Sequence, residues 1–451
     1  MAEPIISVSG LRGIIGETLS PEVAARYACA WAASAAPGSV ILSRDGRASG
    51  RMLADAVRSA LQAVGRSVVD VDVAATPTTG VLVREHHAGG GIQVSASHNP
   101  AEYNGLKLFS ERGQVISAKA GQQVVERYRR GSIEWANIEW VSYDRLGQVL
   151  PAGDPLAAHL NLVLATVDVE RIRAARFQVL LDSNHGAGGA LGARLLEALG
   201  CRVTLVGGEP DGQFAHPPEP TAENLASVLA HVRAAKADVG FCQDPDADRL
   251  AVIDEQGCYI GEECTLALCV EQVLAHQRGP IVTNCSTSRM TEDLADRAGV
   301  PCFRSAVGEA NVVARMQADG ALFGGEGNGG PIDPRVGYVR DSFVGMARIL
   351  SLMAERKLKV SALAAALPRY EIVKTKITLP PERVAPGLAA LQKHFADAQA
   401  DRLDGLRLDW PERWLLVRAS NTEPIVRAIA EAPTQAEAAK LCADAARVLS
   451  K

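Results

Sequence analysis

The sequence is poor in aromatic residues and carries no excess of positive charge. Aromatic side chains make up 4% of the 451 residues, which argues against a platform that stacks the bases of single-stranded nucleic acid. The formal net charge at pH 7 is -5, so the chain as a whole does not attract nucleic acid or an anionic membrane surface. If the substrate is an anion, positive potential must therefore be built locally, within its binding site.

The chain also lacks a disulfide pattern and a long apolar stretch. Its nine cysteines form no Cys-x-x-Cys pair, and most lie inside apolar segments, as Cys242, Cys269 and Cys285 do. This pattern is typical of buried thiols in a reducing compartment. No uninterrupted apolar segment is long enough to span a bilayer, and the first residues have neither the basic nor the apolar region of a signal peptide. The sequence therefore predicts a cytoplasmic protein.

Short β-branched segments alternate with Ala- and Leu-rich segments along most of the chain, which predicts helices layered on β-sheets. Ser20 followed by Pro21 predicts the start of a helix that ends near Ala35. Thr434 and Glu437 predict a capping box that opens the last helix. We expect an α/β protein, with three similar α/β domains that have mixed sheets and a smaller C-terminal α+β domain. The expected boundaries are 1–152, 153–257, 258–367 and 368–451.

A loop with the sequence SASHNP follows a predicted strand that ends at Val94. A serine hydroxyl becomes a useful nucleophile when a base or a metal activates it, and His98 stands beside Ser97 while Lys107 follows shortly after. A single loop of this composition is more often an ordinary polar turn. The interpretation of Ser97 as a nucleophile therefore depends on the other segments of the chain.

Three aspartates, Asp244, Asp246 and Asp248, alternate along the loop that follows an apolar strand. Three carboxylates this close together repel one another unless a cation lies between them, which makes a solvated acidic turn the weaker alternative. An EF-hand calcium loop is excluded because Arg249 occupies the position that requires glycine. Hard oxygen ligands suit Mg²⁺, so the segment predicts a magnesium site.

Two glycine-rich segments match the dinucleotide-binding fingerprint by their letters. In segment 324–330 prolines follow where the fingerprint requires a helix, and segment 184–189 lacks an acidic residue at the end of the next strand. An NAD-dependent oxidoreductase is therefore a disfavoured alternative. Glu326 and Asn328 instead place a carboxylate and an amide on exposed backbone, which suits the recognition of hydroxyl groups.

A polar segment near the C-terminus combines two arginines with hydroxyl and amide side chains. Its residues of interest are Arg418, Ser420, Asn421, Thr422 and Arg427. Guanidinium groups supply charge and paired donors to phosphate oxygens, and the neutral donors complete the oxygen shell. A polar β-turn between two strands is the alternative. The segment predicts a phosphate-binding loop.

Taken in their order along the chain, these segments resemble those of the α-D-phosphohexomutases, and the resemblance extends over nearly the whole chain. It implies that Ser97 is a phosphoserine and, with the three aspartates, a metal ligand. It also implies that Arg12, in the segment SGLRG, lies near the phosphoserine, that Lys107 belongs to the catalytic region and that Arg249 binds substrate. Lys107 and His98 both remain candidates for the general acid and base. The segments RDGR (residues 44–47) and HPPEP (residues 216–220) match without an assigned chemistry.

The resemblance further implies four domains around a central cleft, which carry the phosphoserine, the metal, the sugar-recognition loop and the phosphate loop in that order. Many members have Glu-x-Ser-Gly-His in the sugar loop, whereas this chain has EGNGG, with Asn328 in place of Ser and Gly330 in place of His. This form, together with the segment VGEANV, resembles the phosphoglucosamine mutase-like branch. Glu309 and Glu326 would place carboxylates near a protonated amine, so we expect glucosamine phosphate to be the best substrate.

These inferences combine into one expected reaction. A hexose 6-phosphate and its 1-phosphate are interconverted through phospho-Ser97 and a bound hexose 1,6-bisphosphate, which also serves as activator, with Mg²⁺ as cofactor. Within the same family the alternative is a phosphomannomutase/phosphoglucomutase. A non-catalytic sugar-phosphate-binding protein is disfavoured because the nucleophile, the three aspartates and the phosphate loop are all present.

Overall fold

The chain folds into two compact units in a computed structural model that describes residues 3–7, 10–130, 138–419 and 425–450. The first unit comprises Met1–His276 with Asn328–Ala365, and the second comprises Gln277–Gly327 with Ala366–Lys451. Within the described ranges, no helix is both long enough and apolar enough to cross a membrane.

The first unit begins with a seven-stranded mixed sheet of strand order β1-β2-β6-β5-β3-β4-β7. The strands are β1 (Ile5–Ser7), β2 (Gly10–Ile14), β3 (Val40–Arg44), β4 (Val68–Val73), β5 (Gly90–Val94), β6 (Tyr103–Phe109) and β7 (Val149–Leu150). The helices are α1 (Pro21–Ala32), α2 (Gly50–Ala63), α3 (Thr76–Glu85) and α4 (Ala118–Arg130). Strands β3, β4, β5 and β7 are parallel, whereas β6 is antiparallel to both β5 and β2. Leu42, Ile92 and Leu106 are buried in its core.

A second sheet of the same unit has the order β11-β10-β8-β9, with β11 antiparallel to the others. Its strands are β8 (Gln178–Asp182), β9 (Arg202–Val206), β10 (Val239–Gln243) and β11 (Leu250–Ile253), and its helices are α5 (Ala157–Leu164), α6 (Val169–Ala175), α7 (Gly189–Ala198) and α8 (Ala226–Ala234). The unit also contains α9 (Glu262–His276), β15 (Gly330–Ile332), α12 (Ser342–Arg356) and α13 (Val360–Ala366).

The second unit contains parallel strands in the order β13-β12-β14 and a five-stranded antiparallel sheet in the order β16-β20-β19-β18-β17. The parallel strands are β12 (Ile281–Asn284), β13 (Cys302–Ser305) and β14 (Phe323–Glu326), with helices α10 (Met290–Ala298) and α11 (Glu309–Asp319). The C-terminal sheet consists of β16 (Glu371–Thr378), β17 (Gln399–Asp401), β18 (Leu406–Trp410), β19 (Arg413–Ala419) and β20 (Ile425–Ala432), with α14 (Pro381–His394) and α15 (Gln435–Leu449).

The predicted fold class, three α/β domains and a smaller C-terminal α+β domain, is confirmed. The first helix begins as predicted, because the Ser20 hydroxyl accepts the Val23 N–H (3.3 Å) ahead of Pro21. It ends at Ala32 and not near Ala35. The last helix also begins as predicted, with Thr434 Oγ1 accepting the Glu437 N–H (3.3 Å). The Thr434 hydroxyl donates to the Glu437 carboxylate (2.8 Å).

Neither glycine-rich segment has the form of a dinucleotide-binding turn. Strand β14 ends at Glu326 and β15 begins at Gly330, so the segment between them does not open a helix. The other segment follows β8, and its Asn184 and His185 have left-handed φ angles of 44° and 56°. Asn184 Oδ1 accepts the Ala215 N–H (2.9 Å), which makes this segment a tight structural turn.

Candidate active site

Neighbouring strands of the first sheet carry the predicted catalytic side chains. In the register of β5 and β6, Lys107 lies directly opposite Gln93. In the register of β2 and β6, Arg12 lies directly opposite Gly105. Ser97 lies in the loop that follows the end of β5. The sheet therefore brings together residues that are distant in the sequence.

The Ser97 loop is held in an unusual backbone conformation. Ser97 has a left-handed φ of 50°, which residues other than glycine rarely adopt. Its N–H donates to Ser95 Oγ (2.8 Å), and the Ser95 hydroxyl donates to the buried carboxylate of Asp45 (2.6 Å). Because each of these polar groups is satisfied in a buried setting, the network offsets the cost of the backbone conformation.

Arg47 holds the same loop in place through hydrogen bonds to its backbone. Its side chain is 1% exposed, and its guanidinium donates to Asp45 Oδ2 (3.1 Å). It also donates to four backbone carbonyl oxygens, those of Ser97 (2.7 Å), Asn99 (2.6 Å), Pro100 (2.6 Å) and Tyr103 (2.9 Å). The RDGR segment, to which the sequence analysis assigned no chemistry, therefore shapes the loop that carries the candidate nucleophile.

The three aspartates come together in the turn between β10 and β11. Asp244, Asp246 and Asp248 are fully buried, and one carboxylate oxygen of each lies within 4.8 Å of the others. Asp246 Oδ1 and Asp248 Oδ1 have no hydrogen-bond partner among the described residues. Unpartnered carboxylate oxygens are costly to bury, and a hard divalent cation such as Mg²⁺ would satisfy them. The donor set therefore fits the predicted metal.

Basic and hydroxyl groups surround the aspartates. Lys107 Nζ donates to Asp246 Oδ2 and to Asp248 Oδ2, each at 2.9 Å. Arg340 Nη2 donates to Asp248 Oδ2 (2.7 Å), and Thr76 Oγ1 donates to Asp246 Oδ2 (2.6 Å). The sequence analysis missed Arg340 and Thr76, because neither belongs to a recognisable motif and both are distant from the aspartates in sequence.

The pKa values of the three aspartates are shifted in different directions. Burial, and then the charges of Asp246 and Asp248, raise the pKa of the Asp244 carboxyl well above its usual range. Burial opposes ionisation of Asp246 as well, but the Lys107 charge and hydrogen bonds outweigh it and lower the pKa of Asp246. Arg340 and Lys107 similarly outweigh burial and lower the pKa of Asp248. A divalent cation bound among the three carboxylates would favour the ionised form of Asp244.

The Ser97 hydroxyl lies between this group and an imidazole. It donates to Asp244 Oδ2 (2.9 Å), and His98 Nδ1 lies 3.3 Å from Ser97 Oγ. Burial, followed by the positive charges of Arg249 and Arg12, lowers the pKa of His98 to about 2. The His98 imidazole is therefore neutral near pH 7.

Arg249 connects the aspartates to the HPPEP segment. Its backbone N–H donates to Asp244 Oδ1 (3.1 Å), and its guanidinium lies 3.6 Å from the Glu219 carboxylate. In the same segment, His216 Nε2 lies 2.7 Å from Asp182 Oδ2. The segment therefore positions a basic side chain at the rim of the carboxylate group.

In the second unit, the two predicted sugar-binding carboxylates lie near one loop. Glu326 is the last residue of β14, and its Oε1 accepts hydrogen bonds from Asn284 Nδ2 (2.7 Å) and from the Gly308 N–H (3.1 Å). Glu309 follows Gly308 as the first residue of α11 and is buried. Asn328 belongs to the first unit.

Arg418 is linked to the same loop through a residue that the sequence analysis did not consider. Its Nε lies 3.0 Å from Asp404 Oδ2, which also accepts the Val307 N–H (3.0 Å). Arg427 lies directly opposite Arg418 in the pairing of β20 with β19. The other predicted phosphate-binding residues, Ser420, Asn421 and Thr422, lie outside the described residues.

Four successive domain models of the phosphoglucomutase/phosphomannomutase family match the chain. The alpha/beta/alpha domains I, II and III match residues 5–134, 157–257 and 262–370, and the C-terminal domain matches residues 376–448. A phosphoglucomutase/phosphomannomutase of Thermococcus kodakarensis is 36% identical, over 95% of this chain and 94% of that protein. A probable phosphoglucosamine mutase of Methanopyrus kandleri is 33% identical, over 96% of this chain and 95% of that protein.

A solved structure agrees with these matches. The crystal structure of a phosphoglucomutase/phosphomannomutase family protein from Burkholderia thailandensis is 29% identical with a TM-score of 0.84, and the match covers 99% of this chain and 98% of that one. The chain belongs to the α-D-phosphohexomutase superfamily, as the sequence predicted. Several of its relatives are probable phosphoglucosamine mutases, which supports the predicted phosphoglucosamine mutase-like branch.

Proposed function

We propose that the chain is a phosphohexomutase that interconverts hexose 6-phosphate and hexose 1-phosphate and carries the transferable phosphoryl group on Ser97. The observation that supports this most strongly is the 2.9 Å hydrogen bond from Ser97 Oγ to Asp244 Oδ2, inside a buried group of three carboxylates. A hydroxyl placed this way is adjacent to a site for a divalent cation. Phosphoryl transfer depends mostly on positioning and on charge neutralisation.

The cofactor that fits the site is Mg²⁺, which Asp244, Asp246, Asp248 and an oxygen on Ser97 would hold. When bound, it neutralises negative charge on the transferring phosphoryl group. The chain contributes the rest of the positive potential through Lys107, which already contacts two of the aspartates. An anionic substrate needs such local positive potential because the net charge of the whole chain is negative.

In the first half-reaction, the bond between Ser97 Oγ and phosphorus breaks, and the free hydroxyl oxygen of the substrate forms a bond to the same phosphorus. The substrate hydroxyl loses its proton and Ser97 Oγ gains one, which leaves a bound hexose 1,6-bisphosphate. After the bisphosphate has turned round, Ser97 Oγ loses that proton and bonds to the phosphorus of the other phosphoryl group. The bond between that phosphorus and the sugar oxygen breaks, and the sugar oxygen gains a proton. His98, with Nδ1 3.3 Å from Oγ, and Lys107 are the two candidates for moving the proton.

The remaining residues bind the substrate in both orientations. Arg12 and Arg249 contribute charge beside the phosphoserine and the aspartates. Glu309, Glu326 and Asn328 recognise the sugar. The phosphate that does not react is bound by Arg418, Ser420, Asn421, Thr422 and Arg427. Small-molecule hexose phosphates are thus the proposed partners, with hexose 1,6-bisphosphate as intermediate and activator.

We propose glucosamine phosphate as the preferred substrate. Two carboxylates, those of Glu309 and Glu326, lie near one loop, and the histidine that many relatives carry is replaced by Gly330, which removes a cation that would repel an amine. Relatives at 30–33% identity are probable phosphoglucosamine mutases. The second candidate is phosphomannomutase/phosphoglucomutase activity, since a relative at 36% identity has that name.

A coupled mutase assay tests the proposal. Purified protein is given Mg²⁺, glucose 1,6-bisphosphate as activator, and the 6-phosphate of glucosamine, glucose or mannose in separate reactions. We expect the corresponding 1-phosphate to form in at least one reaction, and most rapidly from glucosamine 6-phosphate. Formation of no 1-phosphate from any of the three substrates would contradict the proposed function.

A further inference from the structure

The C-terminal antiparallel sheet carries three basic residues in one cross-strand row. Lys376 of β16 lies directly opposite Arg427 of β20, and Arg427 lies directly opposite Arg418 of β19. Residues that are directly opposite in an antiparallel ladder project from the same face of the sheet. Lys376 lies in a different strand from the predicted phosphate loop, so only the strand register brings it beside the two arginines.

This row lies on the face of the sheet opposite to α14 and α15. Val417 and Val426, the chain neighbours of Arg418 and Arg427, point the other way and belong to the hydrophobic core that includes residues of both helices. Lys376 and Arg427 are exposed, and Arg418 is partly exposed. The three basic groups are therefore accessible from one side of the sheet.

The charges in the row are incompletely balanced. Arg418 lies 3.0 Å from the carboxylate of Asp404. Across the described part of the chain, the side chains of Lys376 and Arg427 make no ion pair or hydrogen bond with another residue. Like charges directly opposite each other destabilise a sheet. We therefore expect the row to disfavour the ligand-free sheet and to favour an anion on this face.

We propose that Lys376 is a further phosphate-binding residue of this chain, which acts with Arg418 and Arg427 on the phosphate that is not reacting. This inference rests on the proposed function. A sugar phosphate carries about two negative charges near neutral pH, which matches the two cations that have no acidic partner. An ammonium group acts as a point charge, whereas a guanidinium imposes the geometry of its paired donors. Lys376 therefore suits a site that must accept both the 1-phosphate and the 6-phosphate.

The variant Lys376→Gln tests this role in the full chain. We expect its KM for glucosamine 6-phosphate to rise about three- to tenfold, because solvent screens the charge of an exposed side chain, while kcat stays near that of the wild type. The matched control is Lys440→Gln, which removes the same charge from an exposed position of α15, the helix on the opposite face. Its kinetic constants should equal those of the wild type.

Thermal unfolding separates a binding role from a structural one. Without ligand, Lys376→Gln should unfold at the wild-type temperature or above it, because the repulsion in the row is relieved. Added glucosamine 6-phosphate should raise this temperature less than in the wild type. A lower unfolding temperature without ligand, together with an unchanged KM and an unchanged ligand-induced increase, would overturn the inference.

Arg418→Ala distinguishes failure of this inference from failure of the proposed function. If Lys376→Gln binds glucosamine 6-phosphate like the wild type while Arg418→Ala binds it more weakly, the Lys376 inference is wrong and the proposed phosphate site stands. If both variants bind it like the wild type, the proposed phosphate site is itself wrong.

Discussion

The guanidinium of Arg47 donates a hydrogen bond to the carbonyl oxygen of Ser97 across 2.7 Å. The same side chain is paired with Asp45, which accepts the hydroxyl of Ser95. Ser95 in turn accepts the backbone N–H of Ser97. Both backbone polar groups of Ser97 are thus held by a buried network, and its hydroxyl remains directed at Asp244.

We predict that Arg47→Lys lowers kcat about tenfold or more, equivalent to ~1.4 kcal/mol in the barrier. Lysine keeps the charge but lacks the planar fork that serves several carbonyl oxygens, so the loop loses its fixed geometry. Steady-state kinetics provide the measurement, and Arg51→Lys, at a side chain that is 56% exposed, is the control. Equal kcat values for the two variants would mean that Arg47 does not position Ser97.

For the metal group, we predict that Asp246→Asn lowers turnover by about 100-fold or more, since charge stabilisation by a metal is worth several kcal/mol. High Mg²⁺ should restore part of the activity if the site is only weakened. A chelator should silence the wild type reversibly. The control is Glu255→Gln, whose carboxylate contacts Ser361 and not the aspartates. Full activity of the wild type in excess chelator would remove the metal from the mechanism.

In the C-terminal sheet, we predict that Arg418→Ala raises the KM for the hexose phosphate about tenfold or more, because charge-assisted contacts to phosphate are lost. It should also release more free bisphosphate, since the intermediate must stay bound while it turns round. Both quantities are measured in the mutase assay, the second by following radiolabelled bisphosphate. Arg413→Ala, on the same strand and stacked on Trp410, is the control. Wild-type values for Arg418→Ala would contradict the phosphate assignment.

Substrate preference is tested at Glu309. We predict that Glu309→Gln lowers the ratio of kcat/KM for glucosamine 6-phosphate to that for glucose 6-phosphate by about fivefold, the effect of losing a partly screened charge pair. Glu382→Gln controls for the loss of an acid in the first turn of a helix, since Glu382 lies in the first turn of α14. A wild-type ratio below one would contradict the proposed preference, and the mutase activity would stand.

The candidate nucleophile and the carboxylate group could be named from the sequence because each lies within a few consecutive residues. Ser97 and His98 share a loop, and the aspartates alternate along one turn, so their proximity does not depend on the tertiary fold. The helix that begins at Pro21 was predictable for the same reason, since capping chemistry is local. The domain boundaries after residues 152, 257 and 367 stay a prediction.

The residues that the sequence did not reveal depend on long-range contacts. Arg340 reaches Asp248 across 92 positions, and Thr76 reaches Asp246 across 170. Lys376 joins the arginine row only through the register of β16 with β20. No local spacing encodes these contacts, because register is set by packing of the whole sheet. The candidate site residues could therefore be named from the sequence, whereas the residues that contact them through the tertiary fold could not.

The most direct test of the central claim is the mass of the intact protein after incubation with glucose 1,6-bisphosphate, measured together with turnover. We predict one added phosphoryl group on the wild type, and none on Ser97→Ala, which should also lose turnover because the covalent carrier is absent. Ser110→Ala, in the turn after β6, should behave like the wild type. A Ser97→Ala protein that gained the phosphoryl group and turned over substrate like the wild type would contradict the account.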